Sequence, residues 1–254
     1  MLEHFDLTGK CALVTGGNGG IGLGIARGLN DAGAAVCITG RDEAKCERAL
    51  QQLQGRDARA IALTSDVRRE DSVSRLVQQC VEALGRLDIV VNCAGINVRK
   101  LPQDMSMAEW DDVLRTNLTS IFITSRAAYP HLLAAGGGKI INVGSLGSFF
   151  AAAYAAPYVA AKGGLVQLTK CLAVAWAKDN IQVNCFHPGY TDTPFMRKAR
   201  EEVPSMNDKV LSRTALGRWA TPEDFQGLVQ FLASPASNYI TGASIFADGG
   251  FSCT

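Results

Sequence analysis

Short apolar runs rich in β-branched residues alternate along this chain with longer stretches of helical periodicity. This alternation is typical of β-α-β units, whose parallel strands are buried between layers of helices. The strands that it predicts are Cys11 to Thr15, Ala35 to Thr39, Ala60 to Leu63, Leu87 to Asn92, Lys139 to Val143, Ile181 to Phe186 and Ser244 to Ala247. The helices that it predicts include Asp71 to Leu84, Trp110 to Leu133, Tyr158 to Ala177 and Pro222 to Ala233. We therefore predict an α/β fold of the Rossmann type, a doubly wound parallel sheet of about seven strands in a single domain, residues 1–254.

One polar segment, residues 190–216, interrupts the alternation. It contains Pro194, Pro204 and five charged residues between Arg197 and Glu202. It is longer than an ordinary connection in an α/β domain, and long connections of this kind often close over an active site. We therefore predict that this segment is a mobile lid.

The composition narrows the class of partner. The chain is 47% hydrophobic and 19% charged, so its 254 residues can bury a full core without staples. Its 25 basic and 24 acidic residues leave no excess charge for nucleic acid or for an anionic membrane, and no apolar stretch is long enough to span a bilayer. We expect a small-molecule substrate, no nucleic acid and no membrane.

Neither the N-terminus nor the cysteines indicate export. The first ten residues are polar and acidic and lack the basic and apolar regions of a secretory signal. The cysteines are scattered singly, without a Cys-x-x-Cys pair, at Cys11, Cys37, Cys46, Cys80, Cys93, Cys171, Cys185 and Cys253. These features predict a cytoplasmic protein with reduced thiols and no bound metal.

A glycine-rich motif, Thr15 to Gly22, reads TGGNGGIG and lies between the first strand and a helix. Glycines let backbone amides approach a pyrophosphate closely, and a helix N-terminus contributes a dipole that stabilises its charge. A glycine pattern alone also fits a merely tight turn. Its place between strand and helix favours a dinucleotide site.

Tyr158 and Lys162 lie four residues apart on a predicted helix, and therefore on one face of it. A nearby ammonium favours the phenolate form of a tyrosine, which helps the side chain to exchange a proton near neutral pH. Such pairs are also common on solvated helices. Ser145 favours chemistry, because it follows the fifth strand at the carboxyl edge of the sheet, where this architecture binds ligands.

Further motifs follow the glycine-rich one in a fixed order. They are Asn92-Cys93-Ala94-Gly95, Asn117, Ser145, Tyr158-Val159-Ala160-Ala161-Lys162, Pro188-Gly189 and Asp248-Gly249-Gly250. In this order and spacing the chain resembles the short-chain dehydrogenase/reductase family over essentially its whole length. Cys93 departs from the usual NNAG, and His187 stands where a small residue commonly precedes Pro-Gly. His187 fits a packed side chain better than a substrate contact.

The resemblance implies an NAD(P)-dependent oxidoreductase that interconverts a secondary alcohol and a ketone, with four catalytic residues. Tyr158 would protonate the carbonyl oxygen, or deprotonate the alcohol, as hydride passes to or from the nicotinamide. Ser145 would hydrogen-bond the same oxygen, so both side chains would contact substrate. Lys162 would assist Tyr158 and bind the ribose, and Asn117 would hold a water that links Lys162 to solvent.

The resemblance also implies the cofactor site. Asp66 would receive the adenine amino group, while Thr191 and Thr193 would close over the nicotinamide amide. The predicted cofactor-binding residues are Gly16, Asn18, Gly20, Ile21, Gly22, Arg41, Asp66, Val67, Asn92, Ala94, Gly95, Tyr158, Lys162, Pro188, Gly189, Thr191 and Thr193.

The end of the second strand bears on the choice of cofactor. NAD-dependent enzymes place an acid there, whereas Gly40 holds that position here and the following Arg41 suits a 2′-phosphate. Asp42 fits the start of the next helix better than a ribose ligand. Against NADP, Gly19 stands where many NADP enzymes add a second basic residue. We favour NADP over NAD.

The residues of the predicted substrate site indicate two different classes of substrate. The segments Ile96 to Arg99 and Gly217 to Trp219 resemble sugar-acid dehydrogenases of the family, such as gluconate 5-dehydrogenase and 2-deoxygluconate 3-dehydrogenase. Arg99 would then clamp a substrate carboxylate, although a solvated loop arginine fits equally well. Phe149 and Phe150 would instead make one wall apolar, which suits a ring or an alkyl chain.

Two other functions stay open. A non-catalytic nucleotide sensor would keep the fold, although the intact Ser145, Tyr158 and Lys162 argue against it. A 3-oxoacyl thioester reductase would need a basic docking patch, for which the candidates are Arg197, Lys198, Arg200 and Arg213, diluted by Glu201 and Glu202. Whichever function is right, the long helices carry apolar residues on several faces. Together with the resemblance, this pattern predicts a homotetramer.

Overall fold

The predicted strands all form in a computed structural model, which describes residues 3–53, 58–203 and 205–253. They are β1 (Cys11–Thr15), β2 (Ala35–Gly40), β3 (Ala60–Thr64), β4 (Ile89–Asn92), β5 (Gly138–Val143), β6 (Ile181–Pro188) and β7 (Ser244–Ala247). All pair in parallel, in the order β3-β2-β1-β4-β5-β6-β7. The order reverses between β1 and β4, and doubly wound folds bind ligands at the carboxyl ends of the strands at such a point. The predicted Rossmann-type fold is confirmed.

Helices connect the strands. Among the described residues they are α1 (Gly20–Asp31), α2 (Glu43–Gln51), α3 (Glu70–Leu84), α4 (Met107–Leu114), α5 (Ser120–Ala134), α6 (Ala156–Trp176), α7 (Pro194–Glu202), α8 (Met206–Arg213) and α9 (Gln226–Ala233). The last of these follows a 3-10 turn, Pro222–Phe225, so the predicted helix from Pro222 to Ala233 is divided.

The predicted helix from Trp110 to Leu133 is also divided, because a π-helical turn, Arg115–Thr119, separates α4 from α5. Its start lies earlier than predicted, because Ser106 caps α4. The Ser106 hydroxyl accepts from the Glu109 N–H at 3.3 Å, and the Glu109 carboxylate accepts from the Ser106 N–H at 3.0 Å. A single π turn inside a helix is often found at a functional site.

The strand side chains divide the core into two layers. Leu13 and Val14 are adjacent in β1 and fully buried, yet they lie in different apolar clusters because successive side chains point to opposite faces. Residues of α1, α2 and α9 complete the cluster of Val14, and residues of α3, α5 and α6 complete that of Leu13. Because helices cover both faces, the central strands β1, β4 and β6 are buried along their whole length rather than at alternate positions.

The predicted lid contains the two helices α7 and α8. The Asp192 carboxylate accepts from the Arg197 guanidinium at 3.1 and 2.9 Å and also contacts Arg200. The Arg200 guanidinium lies 4.5 Å from the ring centroid of Trp219. Pro204 lies outside the described residues. Movement of this segment as a lid stays a prediction.

The described residues contain no disulfide and no candidate metal cluster. Their eight cysteines are all unpaired, and their His, Cys, Asp and Glu side chains form no group of three that could hold a metal. None of the helices in residues 3–53, 58–203 and 205–253 is long and apolar enough to cross a bilayer.

Candidate active site

A cleft of about 1700 Å³ runs along the carboxyl ends of the strands, where the strand order reverses. All but one of the residues predicted to take part in catalysis, to bind the cofactor or to form polar contacts with the substrate line it. They are Gly16, Asn18, Gly20, Ile21, Gly22, Arg41, Asp66, Val67, Ala94, Gly95, Arg99, Asn117, Ser145, Tyr158, Lys162, Pro188, Gly189, Thr191 and Thr193. The exception is Asn92.

The glycine-rich turn forms a tight cradle between β1 and α1. Gly16 has a φ of 67°, and an added Cβ there would lie 2.9 Å from the backbone of Ala94. A Cβ on Gly22 would lie 2.3 Å from the carbonyl oxygen of Gly16. The N–H of Cys93 donates to the Thr15 hydroxyl at 3.1 Å, so the change from the usual asparagine leaves the backbone contact intact. This close approach of backbone to backbone suits a pyrophosphate at the start of α1.

Asn92 lies behind the cleft, and its predicted contact with the cofactor is corrected. Its side chain is buried and donates to Asn142 Oδ1 at 2.9 Å and to the Ser125 hydroxyl at 3.3 Å. Asn142 donates in turn to the Thr169 hydroxyl at 3.0 Å. The twofold period of the strand directs Asn92 towards α5 and α6, where it joins β4 and β5 to the helices.

Cationic side chains gather where the cleft passes the end of β2. Arg41 lines the cleft together with Lys45 and Arg48, which the sequence analysis did not single out. Lys45 and Arg48 are three residues apart on α2 and therefore lie on one face of it, and this spacing just after Arg41 could have found them. Asp42 caps α2 by accepting from the Lys45 N–H at 3.0 Å, which confirms its prediction as a helix start.

Next to these cations, the cleft carries glycine rather than an acid at position 40, the end of β2, and it carries the acid Asp66 after β3. A Cβ on Gly40 would lie 2.1 Å from Asn18 Nδ2, so the Asn18 amide fills the space of the acid that NAD enzymes carry. The Asp66 carboxylate accepts from the Arg68 guanidinium, with Oδ2 and Nη2 2.7 Å apart. This hydrogen bonding lowers the pKa of Asp66, which remains an ionised acceptor at the rim of the cleft.

Tyr158 and Lys162 lie on the first two turns of α6, as the spacing predicts. Lys162 is only 4% exposed, and its ammonium donates to the carbonyl oxygen of Val143, at the end of β5, at 2.7 Å. Its Nζ lies 5.8 Å from the ring centroid of Tyr158. The positive charge is therefore near enough to stabilise a phenolate.

Ser145 follows β5 directly and lines the same cleft as Tyr158 and Lys162. Its Oγ accepts from the Gly147 N–H at 3.1 Å, which leaves the hydroxyl hydrogen for a ligand oxygen. A Cβ on Gly147 would lie 3.5 Å from both Ser145 Oγ and Tyr158 Cε1. The serine and tyrosine side chains thus flank one glycine and line the same part of the cleft.

His187 is fully buried next to Ser145 and is a packed side chain, as its sequence context favours. Its Nδ1 accepts from the Ser145 N–H at 3.3 Å, and its ring meets the Phe149 ring edge-on with centroids 4.9 Å apart. Burial lowers the pKa of His187 to about 4. The neutral ring therefore keeps Nδ1 as the acceptor that holds the Ser145 backbone.

Asn117 lies in the π-helical turn with its side chain committed to the main chain. Its amide donates to the carbonyl oxygens of Ile96 and Val113 at 2.8 and 2.9 Å, and its oxygen accepts from the Ile96 N–H at 3.3 Å. A water that links Lys162 to solvent would therefore have to bind the remaining lone pair of Asn117 Oδ1 or the backbone of this turn.

The first residues of the lid pack against the glycine-rich turn. The Thr191 hydroxyl donates to the carbonyl oxygen of Gly189 at 2.9 Å. Thr193 caps α7 by accepting from the Met196 N–H at 3.3 Å, and its methyl lies 3.4 Å from the Cβ position of Gly20. Both threonines line the cleft where the lid meets the predicted nucleotide site.

Arg99 faces the lid at the substrate end of the cleft. Its Nη1 lies 3.8 Å from Glu202 Oε2, at the end of α7. Its guanidinium carbon lies 5.4 Å from the ring centroid of Phe195, also on α7. Arg99 is therefore neither a solvated loop residue nor tightly bound to another side chain.

The predicted apolar wall does not form, because Phe149 and Phe150 do not line the cleft. A 3-10 turn, Leu146–Ser148, carries them away from it. Phe149 packs on Phe246, and Phe150 lies 5.2 Å from the guanidinium of Arg213.

Comparison with known proteins agrees with this geometry. Over residues 16–252 the chain matches the family described as enoyl-(acyl carrier protein) reductase. It is 38% identical over 252 residues to the 2-dehydro-3-deoxy-D-gluconate 5-dehydrogenase of Escherichia coli K12, covering 99% of this chain and 98% of that protein.

Two solved structures share the fold over the whole chain. The gluconate 5-dehydrogenase of Burkholderia cenocepacia J2315, in complex with NADP and tartrate, is 36% identical, with a TM-score of 0.92 and coverage of 100% of this chain and 99% of that one. A short-chain type dehydrogenase/reductase of Mycobacterium marinum is 34% identical, with a TM-score of 0.93 and the same coverage. The chain therefore belongs to the short-chain dehydrogenase/reductase family and is an NAD(P)-dependent oxidoreductase that interconverts a secondary alcohol and a ketone.

Proposed function

We propose that the protein is an NADP(H)-dependent oxidoreductase of a small sugar acid. The observation that carries this is a cleft that Ser145, Tyr158 and Lys162 share with Arg99, whose guanidinium makes no hydrogen bond among the described residues. A planar guanidinium in this state suits a carboxylate, to which it can donate two parallel hydrogen bonds. Support comes from two of the similar proteins, which are named as gluconate-type dehydrogenases, one of them crystallised with tartrate.

Ser145 and Tyr158 would act on the oxygen that changes oxidation state. The nicotinamide cofactor, when bound, supplies or accepts the hydride at the adjacent carbon. In oxidation the alcohol proton passes to the Tyr158 phenolate; in reduction the Tyr158 hydroxyl returns a proton to the carbonyl oxygen. The Ser145 hydroxyl donates to that oxygen throughout, because the Gly147 N–H already occupies a lone pair of Oγ. The Lys162 ammonium stabilises the phenolate.

The charges beyond β2 support NADP rather than NAD. Arg41, Lys45 and Arg48 line the end of the cleft that would hold the adenosine ribose, and a 2′-phosphate there would find several cationic donors. Gly40 contributes no carboxylate that would repel the 2′-phosphate. The Asp66 carboxylate would accept a hydrogen bond from the adenine amino group. The tartrate-bound neighbour contains NADP.

Replacing Arg41 with alanine is expected to raise the KM for NADPH about 10- to 100-fold and to leave that for NADH unchanged. The reason is the loss of charge-assisted hydrogen bonds to the 2′-phosphate. Steady-state kinetics with both cofactors would measure this. Arg69→Ala, which removes an exposed arginine outside the cleft, is the matched control. An unchanged ratio of NADPH to NADH efficiency would remove Arg41 from the proposal.

A substrate panel tests the proposed substrate class. We expect turnover with hydroxy or keto sugar acids and much lower kcat/KM with uncharged polyols and with 3-oxoacyl thioesters. The lid is poorly suited to docking an acidic carrier protein, because Arg197 and Arg200 are both engaged by Asp192. Higher efficiency with acyl thioesters than with sugar acids would overturn the proposal.

We further propose that the protein acts as a cytoplasmic homotetramer. Unpaired cysteines suit a reducing compartment. Apolar side chains remain exposed on the two long helices, including Phe122 on α5 and Val174 on α6, and a second subunit would cover them. Light scattering that gives the mass of a monomer would contradict this assembly.

A further inference from the structure

We propose that Glu202 is a specificity-determining residue, an internal counter-anion that occupies Arg99 until a substrate carboxylate displaces it. This inference rests on the proposed function, because it concerns the arginine assigned to the substrate carboxylate. The proposal adds a second carboxylate, that of Glu202 in the lid, which competes with the substrate carboxylate for Arg99.

The backbone that carries Arg99 is held on both sides. The Ile96 N–H and carbonyl are both bound by the Asn117 side chain, at 3.3 and 2.8 Å. The Lys100 N–H donates to the carbonyl oxygen of Tyr154, just before α6, at 3.2 Å. The backbone on either side of Arg99 is therefore fixed by hydrogen bonds, to the segment just before α6 and to the π-helical turn.

Glu202 is held much more loosely. It is the last residue of α7, its side chain is 46% exposed, and it lines the cleft. Its Oε2 lies 3.8 Å from Arg99 Nη1, and no hydrogen bond joins the two side chains. A carboxylate at this distance balances the charge of Arg99 without using its hydrogen-bond donors.

The two arginines of the lid helix α7 cannot take the place of Arg99. Asp192 binds Arg197 and Arg200 through direct hydrogen bonds, and the hydrogen bond from Arg197 lowers the pKa of Asp192. Lys209 on α8 also lines the cleft, but it is a single ammonium on a flexible stem and offers no planar pair of donors. Arg99 is therefore the site at which a ligand carboxylate and Glu202 compete.

The competition separates charged from neutral ligands. A ligand carboxylate that makes two hydrogen bonds to Arg99 gains more than the loose ion pair with Glu202 loses, whereas a neutral ligand gains nothing from displacing it. Removing the Glu202 charge should therefore favour anionic ligands and leave neutral ones unchanged.

The test measures binding of tartrate to the NADP-loaded protein by calorimetry, with the uncharged polyol erythritol for comparison. Glu202→Gln is expected to tighten tartrate about two- to fivefold, the factor typical of an exposed ion pair. Glu201→Gln, the neighbouring acid that does not line the cleft, should leave the Kd unchanged. Arg99→Met should weaken tartrate binding, and Glu202→Gln should have no further effect in that background.

Unchanged or weaker tartrate binding in Glu202→Gln would overturn the inference, as would tightening that persists without Arg99, or no tartrate binding by either wild type or Glu202→Gln. The proposed function is tested separately by turnover. If the binding pattern holds but no sugar acid is turned over, only the proposed function fails. If sugar acids are turned over and Glu202→Gln does not change tartrate binding, only the role of Glu202 fails.

Discussion

Replacing Tyr158 with phenylalanine is expected to lower kcat by about 100- to 10,000-fold, the range that a positioned acid/base contributes. The substitution removes only the hydroxyl that exchanges a proton with the substrate oxygen. Lys162 keeps its hydrogen bond to the Val143 carbonyl, and Ser145 keeps its contact with the Gly147 N–H, so the remaining site should stay in place. Cofactor binding, measured by NADPH fluorescence, should persist.

Tyr154→Phe is the matched control for this substitution. Tyr154 lines the same cleft four residues before Tyr158, but it lies before α6 and is 59% exposed. The Tyr154→Phe variant should therefore retain most of the wild-type kcat. Near-normal turnover by Tyr158→Phe would show that another group moves the proton.

Replacing Gly22 with alanine is expected to weaken NADP(H) binding about 10- to 100-fold. The new Cβ would lie 2.3 Å from the carbonyl oxygen and 2.8 Å from the carbonyl carbon of Gly16, and backbone atoms cannot move aside as a flexible side chain can. The start of α1 must therefore shift away from the turn, and the amides that face the pyrophosphate shift with it. Titration of the protein with NADPH would measure the loss.

Gly19→Ala separates this steric effect from a general sensitivity of the motif. An added Cβ on Gly19 meets nothing within 4 Å, and its φ of 171° is open to any residue. This variant should bind NADP(H) nearly as well as the wild type. Equal binding by Gly22→Ala and the wild type would mean that the approach of α1 to the turn is not needed for the cofactor.

The active site combines fixed and loosely held parts. Ser145 is held by Gly147 and by the buried His187, and Lys162 by Val143, so the reacting groups stand on the end of β5 and the start of α6. Arg99 meets the lid through a loose ion pair with Glu202 and through the ring of Phe195. A site of this kind can keep its chemistry constant while the lid selects the ligand.

The sheet and the reaction type could be predicted because they depend on local patterns. The apolar runs mark buried parallel strands, the glycines between β1 and α1 mark a nucleotide turn, and the spacing of Tyr158 and Lys162 places both on one helix face. The position of Ser145 after the fifth strand placed it at the same edge of the sheet, and the resemblance added Asn117. The boundary errors, such as the undivided helix across Arg115–Thr119, arose where Asn117 bonds to a distant segment, the backbone of Ile96.

The sequence by itself therefore determined the fold class, the nucleotide turn and the family. Tertiary structure alone decided which side of a strand or loop each side chain faces. It turned Asn92 into the helix layer, took Phe149 and Phe150 away from the cleft, and placed Arg99 opposite Glu202. The strand period fixes only that successive side chains point to opposite faces. Which layer each face meets depends on packing between segments far apart in the chain, and the local sequence carries no signal for that.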